Sequence, residues 1–155
     1  MDGVYRLSAA ILGNEADARD AAQDTFVNAW TRIRSIRDPA RFDAWLQRVA
    51  VNSARMVHRS RRRRAVREIP QGKPESRAAG TPTAPAADDA AVLHAALRRL
   101  DSDQRALLVL HHLEGRPVAD LAEILGIPVG TVKSRLHDAR ITLQAAIDDE
   151  SDQRG

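Results

Sequence analysis

The sequence lacks cysteine, contains few aromatic residues and has no long apolar run. Without cysteine, disulfides and thiolate metal sites are excluded, which fits a reducing cytosol. No apolar run could span a membrane, and the first residues, MDGVYRLSAA, lack the basic-then-apolar order of a secretory signal, so a cytoplasmic protein is expected. Because aromatic residues make up only 3% of the 155 residues, the core must consist mainly of Ala, Leu, Val and Ile, which predicts an all-α fold.

Charge is unevenly distributed along the chain, although the net charge is only +3. Acidic residues cluster between positions 15 and 24, whereas arginines dominate positions 48 to 67. The arginine guanidinium suits bidentate contacts with phosphates or bases. The first half therefore offers two faces of opposite sign, which predicts two different partners.

A helical period begins at Asn14, which is placed to cap a helix. The residues expected to face the core recur at spacings of three and four: Ala18, Ala21, Ala22, Thr25, Phe26, Ala29, Trp30 and Ile33. The opposite side of the helix is acidic and amide-bearing, with Asp20, Gln23, Asp24 and Asn28. Since Asp20 and Asp24 are neighbours on a helix, their repulsion favours a basic partner.

Residues 35–41 (SIRDPAR) interrupt this period and predict a loop. A second long helix follows, and its apolar stripe contains Phe42, Trp45, Leu46, Val49, Met56 and Val57. Another face carries a line of anion-binding side chains, here called the arginine stripe: Arg48, Asn52, Arg55, Arg59 and Arg62. One face of this helix is predicted to pack and the other to bind anions, and both Trp30 and Trp45 are assigned to the core.

Residues 65–88 are rich in Pro, Gly, Ala, Ser and Thr and predict a flexible linker between two small helical domains, residues 1–64 and 89–150. The second block has three apolar helical faces, formed by Val92, Leu93, Ala96, Leu97 and Leu100, then by Ala106, Leu107, Leu110 and Leu113, then by Val118, Leu121, Ala122 and Leu125. Asp101 or Ser102 is expected to cap the second helix, Gly115 to end it, and Pro117 to lie in the first turn of the third.

The segment VADLAEILGIPVGTVKSRLHDAR has the spacing of a helix-turn-helix. Small Ala122 permits the two helices to cross closely, and Gly126 supplies the turn between them. Val132 is expected to pack the second helix against the first. That helix is expected to run from about Val129 to Ile147. The residues facing DNA would be Thr131, Lys133, Ser134, Arg135, His137 and Arg140. The alternative is a purely structural helical hairpin.

Sites for catalysis or metals find little support in the sequence. His111, His112 and Glu114 are close in sequence, but adjacent helical side chains diverge by about 100° and cannot easily share an ion. No glycine-rich phosphate loop, nucleophile elbow or supported carboxylate pair is present. We therefore expect no metal, no cofactor, no catalytic residue and no small-molecule substrate, which argues against a metal-dependent hydrolase.

Two segments resemble conserved regions of the extracytoplasmic-function (ECF) sigma factors of the sigma-70 family. LGNEADARDAAQDTFVNAW, followed by FDAWLQRVAVNSARMVHRSRRRR, is similar to region 2, and LRRLDSDQRALLVLHHLEGRPVADLAEILGIPVGTVKSRLHDAR is similar to region 4. Together they cover most of the chain. The resemblance implies an alternative sigma factor that directs RNA polymerase core to specific promoters and assists promoter melting.

The resemblance also implies roles for individual residues. The surface that grips the polymerase clamp helices would contain Asp20, Gln23, Asp24 and Phe26. The loop 35–41 would capture a flipped base of the minus-10 element, with Asn52 near that strand and Arg48, Arg55, Arg59 and Arg62 on its backbone. Region 4 would read the minus-35 element through Lys133, Ser134 and His137, and would contact the polymerase flap. An anti-sigma factor, often membrane-bound, is the further partner that the family implies.

Three features depart from the family pattern. Gln47 stands where a tyrosine is common, and Asp138 stands where the recognition helix commonly has a basic residue. Asp138 could accept a hydrogen bond from cytosine in place of a phosphate contact. The chain begins almost at VYRL, so we expect either a shortened first helix or a misassigned start.

A second reading of the same helix-turn-helix is a transcriptional regulator of the LuxR type, whose DNA-binding domain looks very similar to region 4. Such a regulator should carry a phosphorylation or ligand-binding domain in its first half. This chain instead has an acidic helix followed by the arginine stripe, without alternating strands and helices. The first half therefore separates the two readings.

Overall fold

A computed structural model describes residues 2–67 and 85–155, and every regular element in these two ranges is helical. We call residues 2–67 the N-terminal module and residues 85–155 the C-terminal module. The α-helices are α1 (Asp2–Leu12), α2 (Glu15–Arg32), α3 (Phe42–Arg67), α4 (Pro85–Arg99), α5 (Ser102–Leu108), α6 (Val118–Leu125) and α7 (Val129–Arg154). Within the described ranges, none of these helices combines the length and apolar character needed to cross a membrane.

The predicted start of α2 is confirmed, because the Asn14 side chain accepts a hydrogen bond from the Asp17 amide at 2.8 Å. The buried face of α2 consists of small side chains, and the Thr25 hydroxyl donates a hydrogen bond to the Ala21 carbonyl oxygen at 2.6 Å. Small residues let α1 and α3 approach closely on either side. The inward assignment of Trp30 and Ile33 is wrong, since their side chains are 81% and 46% exposed. The narrow alanine face cannot accommodate the larger residues on its flank.

The loop predicted between α2 and α3 is confirmed and contains two short 3₁₀ turns, Ile33–Ser35 and Pro39–Arg41. Asp38 begins the second turn by accepting from the Ala40 amide at 3.0 Å. Helix α3 then runs without a break to Arg67, and its buried residues are Ala50, Val51, Ser53 and Ala54. Met56 was assigned to the apolar stripe, but it is 66% exposed, so that assignment is wrong.

Helix α5 begins with a full capping box, in which Asp101 accepts from the Gln104 amide and the Gln104 side chain accepts from the Asp101 amide. The helix continues into a π-helical turn, Val109–Leu113, that the sequence did not reveal. Because a π turn contains more residues per turn than an α-helix, it rotates the following side chains outward. The inward assignment of Leu113 is therefore wrong, and its side chain is 74% exposed. Leu93 on α4 is likewise exposed, at 44%.

The helix-turn-helix is formed by α6 and α7. Gly115 and Gly126 adopt left-handed backbone conformations with φ of 65° and 66°, as the sequence predicts. Pro117 lies one residue earlier than expected, as the N-cap residue of α6 and not in its first turn. Val132 is fully buried and anchors α7, which extends to Arg154, seven residues beyond the predicted end.

The two modules pack against each other through one continuous apolar core. Leu7 and Ile11 of α1 lie in the same buried cluster as Leu107 and Leu110, which belong to α5 and the π turn. A second contact joins α3 to α6. The helices also reach into the predicted linker 65–88, because α3 ends at Arg67 and α4 begins at Pro85. The rest of that predicted linker, residues 68–84, lies outside the described residues.

The left-handed turn at Gly126 predicts a clear difference between two glycines of the helix-turn-helix. We expect Gly126→Ala to lower the free energy of unfolding by about 1 to 2 kcal/mol, since a β-carbon is strained at positive φ. Gly130 lies in the first turn of α7, where a β-carbon would meet no atom within 4 Å. Gly130→Ala should therefore leave stability unchanged or raise it by up to about 1 kcal/mol. Urea denaturation of both variants measures the difference, and an equal loss in both would contradict it.

Candidate nucleic-acid interface

The exposed face at the start of α7 carries the residues that the sequence assigned to duplex DNA. Lys133, Ser134, Arg135, His137 and Arg140 are exposed, and Thr131 is partly buried. The neighbours Val132, Leu136 and Ala139 are buried, so the helix presents one polar side to solvent and one apolar side to the core. Pro128 precedes the helix and provides no side-chain cap, which leaves the first amide groups of α7 open to an anion.

Arg140 is held in place by the π turn. Its Nε donates to His112 Nε2 at 3.3 Å. Partial desolvation, then the nearby His111 and Arg140, lower the pKa of His112 below its ordinary value. A lowered pKa favours the neutral imidazole, and only the neutral ring can accept this hydrogen bond. The His111 ring is positioned separately, with Nδ1 2.8 Å from the Arg116 carbonyl oxygen. In the described ranges, no group of three or more potential metal ligands comes together.

The arginine stripe lies along one side of α3. Arg48, Asn52, Arg59 and Arg62 are exposed, while Arg55 is partly buried and its Nε donates to Asp103 Oδ1 at 2.8 Å. Arg61, on a different side of the helix, is paired with Asp17 at 2.7 Å. The stripe is thus a separate cationic line, and Arg61 belongs to a different face that contacts α2.

An open cleft lies where the loop 35–41 meets the first turns of α3. Its walls include Ile36, Arg37 and Arg41 from the loop side, and Trp45 and Arg48 from α3. Trp45 is only half-buried and its ring lies 6.0 Å from that of Phe42. Its assignment to the core is therefore wrong. The three-residue spacing of Trp45 and Arg48 was the available sequence signal, because residues three apart share one helix surface.

The cleft is closed on its far side by the C-terminal module. Glu123 and Ile124 of α6 line it, and Arg41 Nη2 donates to a Glu123 carboxylate oxygen at 2.9 Å. Gln47 also crosses between the modules, since it accepts from Arg116 Nε at 2.7 Å and donates to Glu114 at 3.3 Å. The candidate site therefore contains residues of both modules.

The acidic surface of α2 lies away from this cleft. Asp20, Gln23 and Asp24 are exposed and line a groove between α2 and α3. Phe26 is partly buried and packs against the core, whereas Val27 and Trp30 are 58% and 81% exposed. Because Val27 lies three or four residues from Gln23 and Asp24, it belongs to the same helix face. The sequence analysis gave Val27 no role and assigned Trp30 to the core, so it missed both apolar side chains on this face.

A buried cation lies at the junction of the modules. Arg105 of α5 is only 7% exposed and its Nη1 would be 3.0 Å from a β-carbon at Gly13, so it lies beside the C-terminal end of α1. Burial lowers the pKa of Arg105, although an arginine stays charged at neutral pH. Burial, followed by the charges of Arg105, Arg62 and Arg61, also lowers the pKa of His58. Positive charge is thus concentrated where α3 faces α5.

Comparison with known proteins places both modules in one family. The family model "Sigma-70 region 2" matches residues 1–64, and "Sigma-70, region 4" matches residues 90–143. The chain is 38% identical to the ECF RNA polymerase sigma factor SigL of Mycobacterium tuberculosis, over 91% of this chain and 82% of that protein. It is 32% identical to the ECF RNA polymerase sigma factor SigE of Mycolicibacterium smegmatis, over 92% of this chain but only 56% of the relative's length.

A solved structure has the same arrangement of helices. It is the sigma factor RpoE in complex with the anti-sigma factor NepR from Bartonella quintana, with a TM-score of 0.73 and 25% identity, covering 95% of this chain and 91% of that chain. A LuxR-type regulator would have a different domain in its first half. Residues 1–64 of this chain instead match region 2, so that alternative is not supported. The chain belongs to the ECF RNA polymerase sigma factors.

Proposed function

We propose that this chain directs RNA polymerase core to specific promoters and helps to separate the promoter strands. The observation that carries the proposal is the combination, on one helix pair, of an acidic outer face on α2 and a cationic cleft beside α3. The acidic face, with Asp20, Gln23 and Asp24, would bind the basic side of the polymerase clamp. Phe26 would support this face from beneath, and the exposed Val27 and Trp30 would extend it.

Strand separation needs no chemical step in this proposal. Unstacking a base costs a few kcal/mol, and binding of the separated strand must offset that cost. The cleft supplies a half-buried aromatic ring at Trp45 for stacking, and the arginine stripe supplies charge for the strand's phosphates. The chain would therefore act through binding and not as an enzyme.

Region 4 would read the upstream duplex. The exposed side chains at the start of α7 would enter the major groove, where Lys133 and His137 can hydrogen-bond base edges and Arg135 and Arg140 can contact phosphates. This module would also contact the polymerase flap. Because the relative of known structure was crystallised with an anti-sigma factor, we infer an anti-sigma factor for this chain as well, and we assign its action to the cytoplasm, where it would meet the polymerase.

Run-off transcription with purified core polymerase tests the proposal directly. We expect the full chain to give a promoter-specific transcript without another sigma factor. Asp20→Asn combined with Asp24→Asn should weaken association with core by about ten-fold, because two charges facing a basic surface are lost. Asp148→Asn with Asp152→Asn, two carboxylates at the end of α7, is the matched control. Failure of the unaltered chain to bind core at low salt would contradict the proposed function.

Asn52→Ala tests strand capture separately from duplex binding. We expect open-complex formation to fall several-fold more than binding to closed duplex promoter. The reason is that Asn52 is exposed within the arginine stripe, one helical turn after Arg48, which lines the cleft. The permanganate reactivity of unpaired thymines measures open-complex formation. Gln144→Ala, which removes an exposed helical amide on α7, serves as the control. An equal loss of both activities in the Asn52 variant would contradict its proposed role.

Lys133→Ala and His137→Ala test upstream recognition. Each should weaken binding of the polymerase complex to its minus-35 sequence by about 1 to 3 kcal/mol, and should reduce discrimination at a single base position. Competition binding with a set of single-base variants of the promoter measures this effect. Arg154→Ala, at the far end of α7, should change neither property. Uniform weakening across all sequences would instead assign Lys133 and His137 to phosphates.

A further inference from the structure

The side of α7 that is turned away from the core carries an acidic and an apolar side chain among its basic ones. Buried residues fix the core side of the helix: Val132, Leu136 and Ala139. The opposite side has exposed side chains at positions i, i+3, i+4 and i+7, a spacing that places them on one helix surface. We call them the reading face: Ser134, His137, Asp138 and Ile141. Because Ser134 and His137 are assigned to base edges, Asp138 and Ile141 are placed to contact bases as well.

Asp138 is unusual on a surface that approaches DNA. It is the only acidic residue of α7 before Asp148, whereas Lys133 and Arg140 are basic. No ion pair joins Asp138 to another residue of the described ranges, and Thr142 donates to its backbone carbonyl, at 2.9 Å, and not to its carboxylate. Phosphates repel a free carboxylate, so the helix tolerates Asp138 in a groove only where a base donates a hydrogen bond to it.

The chemistry of an ionised carboxylate restricts the base that Asp138 can contact. A carboxylate accepts hydrogen bonds and donates none. In the major groove only cytosine and adenine present an amino donor, and adenine places its N7 acceptor beside that donor. Because two acceptors facing each other are unfavourable, cytosine N4 is the better partner for a carboxylate, whereas an amide side chain suits adenine.

Ile141 adds an apolar group to the reading face. Its side chain is 56% exposed, so it is available to a ligand that approaches this side of α7. The apolar group that a base presents in the major groove is the C5-methyl group of thymine. Three residues advance a helix by about 4.5 Å, and one base pair advances the duplex by about 3.4 Å. Ile141 would therefore meet a base pair next to the one that Asp138 contacts.

We propose that Asp138 and Ile141 determine base preference in the minus-35 element, with Asp138 selecting cytosine and Ile141 selecting thymine at a neighbouring base pair. This inference rests on the proposed reading of duplex DNA by α7. The ligand is a major-groove edge that presents the N4 amino group of cytosine close to the C5-methyl group of thymine. Arg135 and Arg140, which are assigned to phosphates, offset the repulsion between Asp138 and the DNA backbone.

Selection from a pool of random-sequence duplexes tests the role of Asp138. The full chain in complex with core polymerase should enrich an upstream motif that contains a C·G pair beside a T·A pair, each by about five-fold or more. Asp138→Asn should move the preference at the first of these positions from cytosine to adenine, because an amide both donates and accepts. Asp152→Asn makes the same change at the far end of α7 and should leave the selected motif unaltered.

Removal of a single methyl group from the DNA tests the role of Ile141. Deoxyuridine in place of thymidine at the selected T·A pair deletes the C5-methyl group and keeps the base pairing. This replacement should weaken binding of the unaltered complex by about three-fold, and should have no effect on a complex that contains Ile141→Ala. Leu93→Ala removes an exposed aliphatic side chain from α4 and should keep the full response to deoxyuridine.

The outcomes separate this inference from the proposed function. Because both side chains are exposed, the variants should fold as the unaltered chain does. If Asp138→Asn keeps the motif of the unaltered chain, or if Ile141→Ala keeps its response to deoxyuridine, the inference is overturned for that residue. An equal change in affinity for every sequence overturns it for both. If the unaltered complex enriches no upstream motif, the proposed reading of the duplex by α7 is itself wrong, and this inference fails with it.

Discussion

The packing of α1 against α5 and the π turn is the contact on which the rest of the structure depends. It joins Leu7 and Ile11 to Leu107 and Leu110 in one apolar core, so that two short helical modules share a single interior. Small helical domains bury a limited fraction of their surface, and sharing a core raises that fraction for both. The relative position of the cleft, the arginine stripe and the helix-turn-helix follows from this packing.

The composition of the chain explains how that packing is reached. Alanine lines much of the buried faces of α2 and α3 and lets the helices approach closely, which leaves both tryptophans outside the core cluster. Trp45 consequently forms a cleft wall and Trp30 remains on the surface. Close helix contacts thus place the two tryptophans near the proposed binding surfaces.

Local signals were sufficient to predict much of this structure. Asn14, Asp101 and Gly126 act within one or two turns of the chain, so capping and turn chemistry alone determine their roles. The wrong assignments of side chains to the core arose where tertiary packing or altered helical geometry decides which way a side chain points. Leu113 is turned outward by a π turn that leaves no local sequence signal, and the junction of the modules depends on residues far apart in sequence, such as Arg41 and Glu123.

Arg105 gives the junction a further property. Its guanidinium is almost fully withdrawn from water at the end of α1, and its Nε has no hydrogen-bond partner among the described residues. Burying a charged group with incomplete hydrogen bonding is unfavourable, and hydration recovers that energy as soon as the group reaches solvent. Parting of the modules would therefore be partly compensated by rehydration of a single side chain. Burial of Arg105 therefore makes the junction of the modules weaker than its apolar contacts alone would make it.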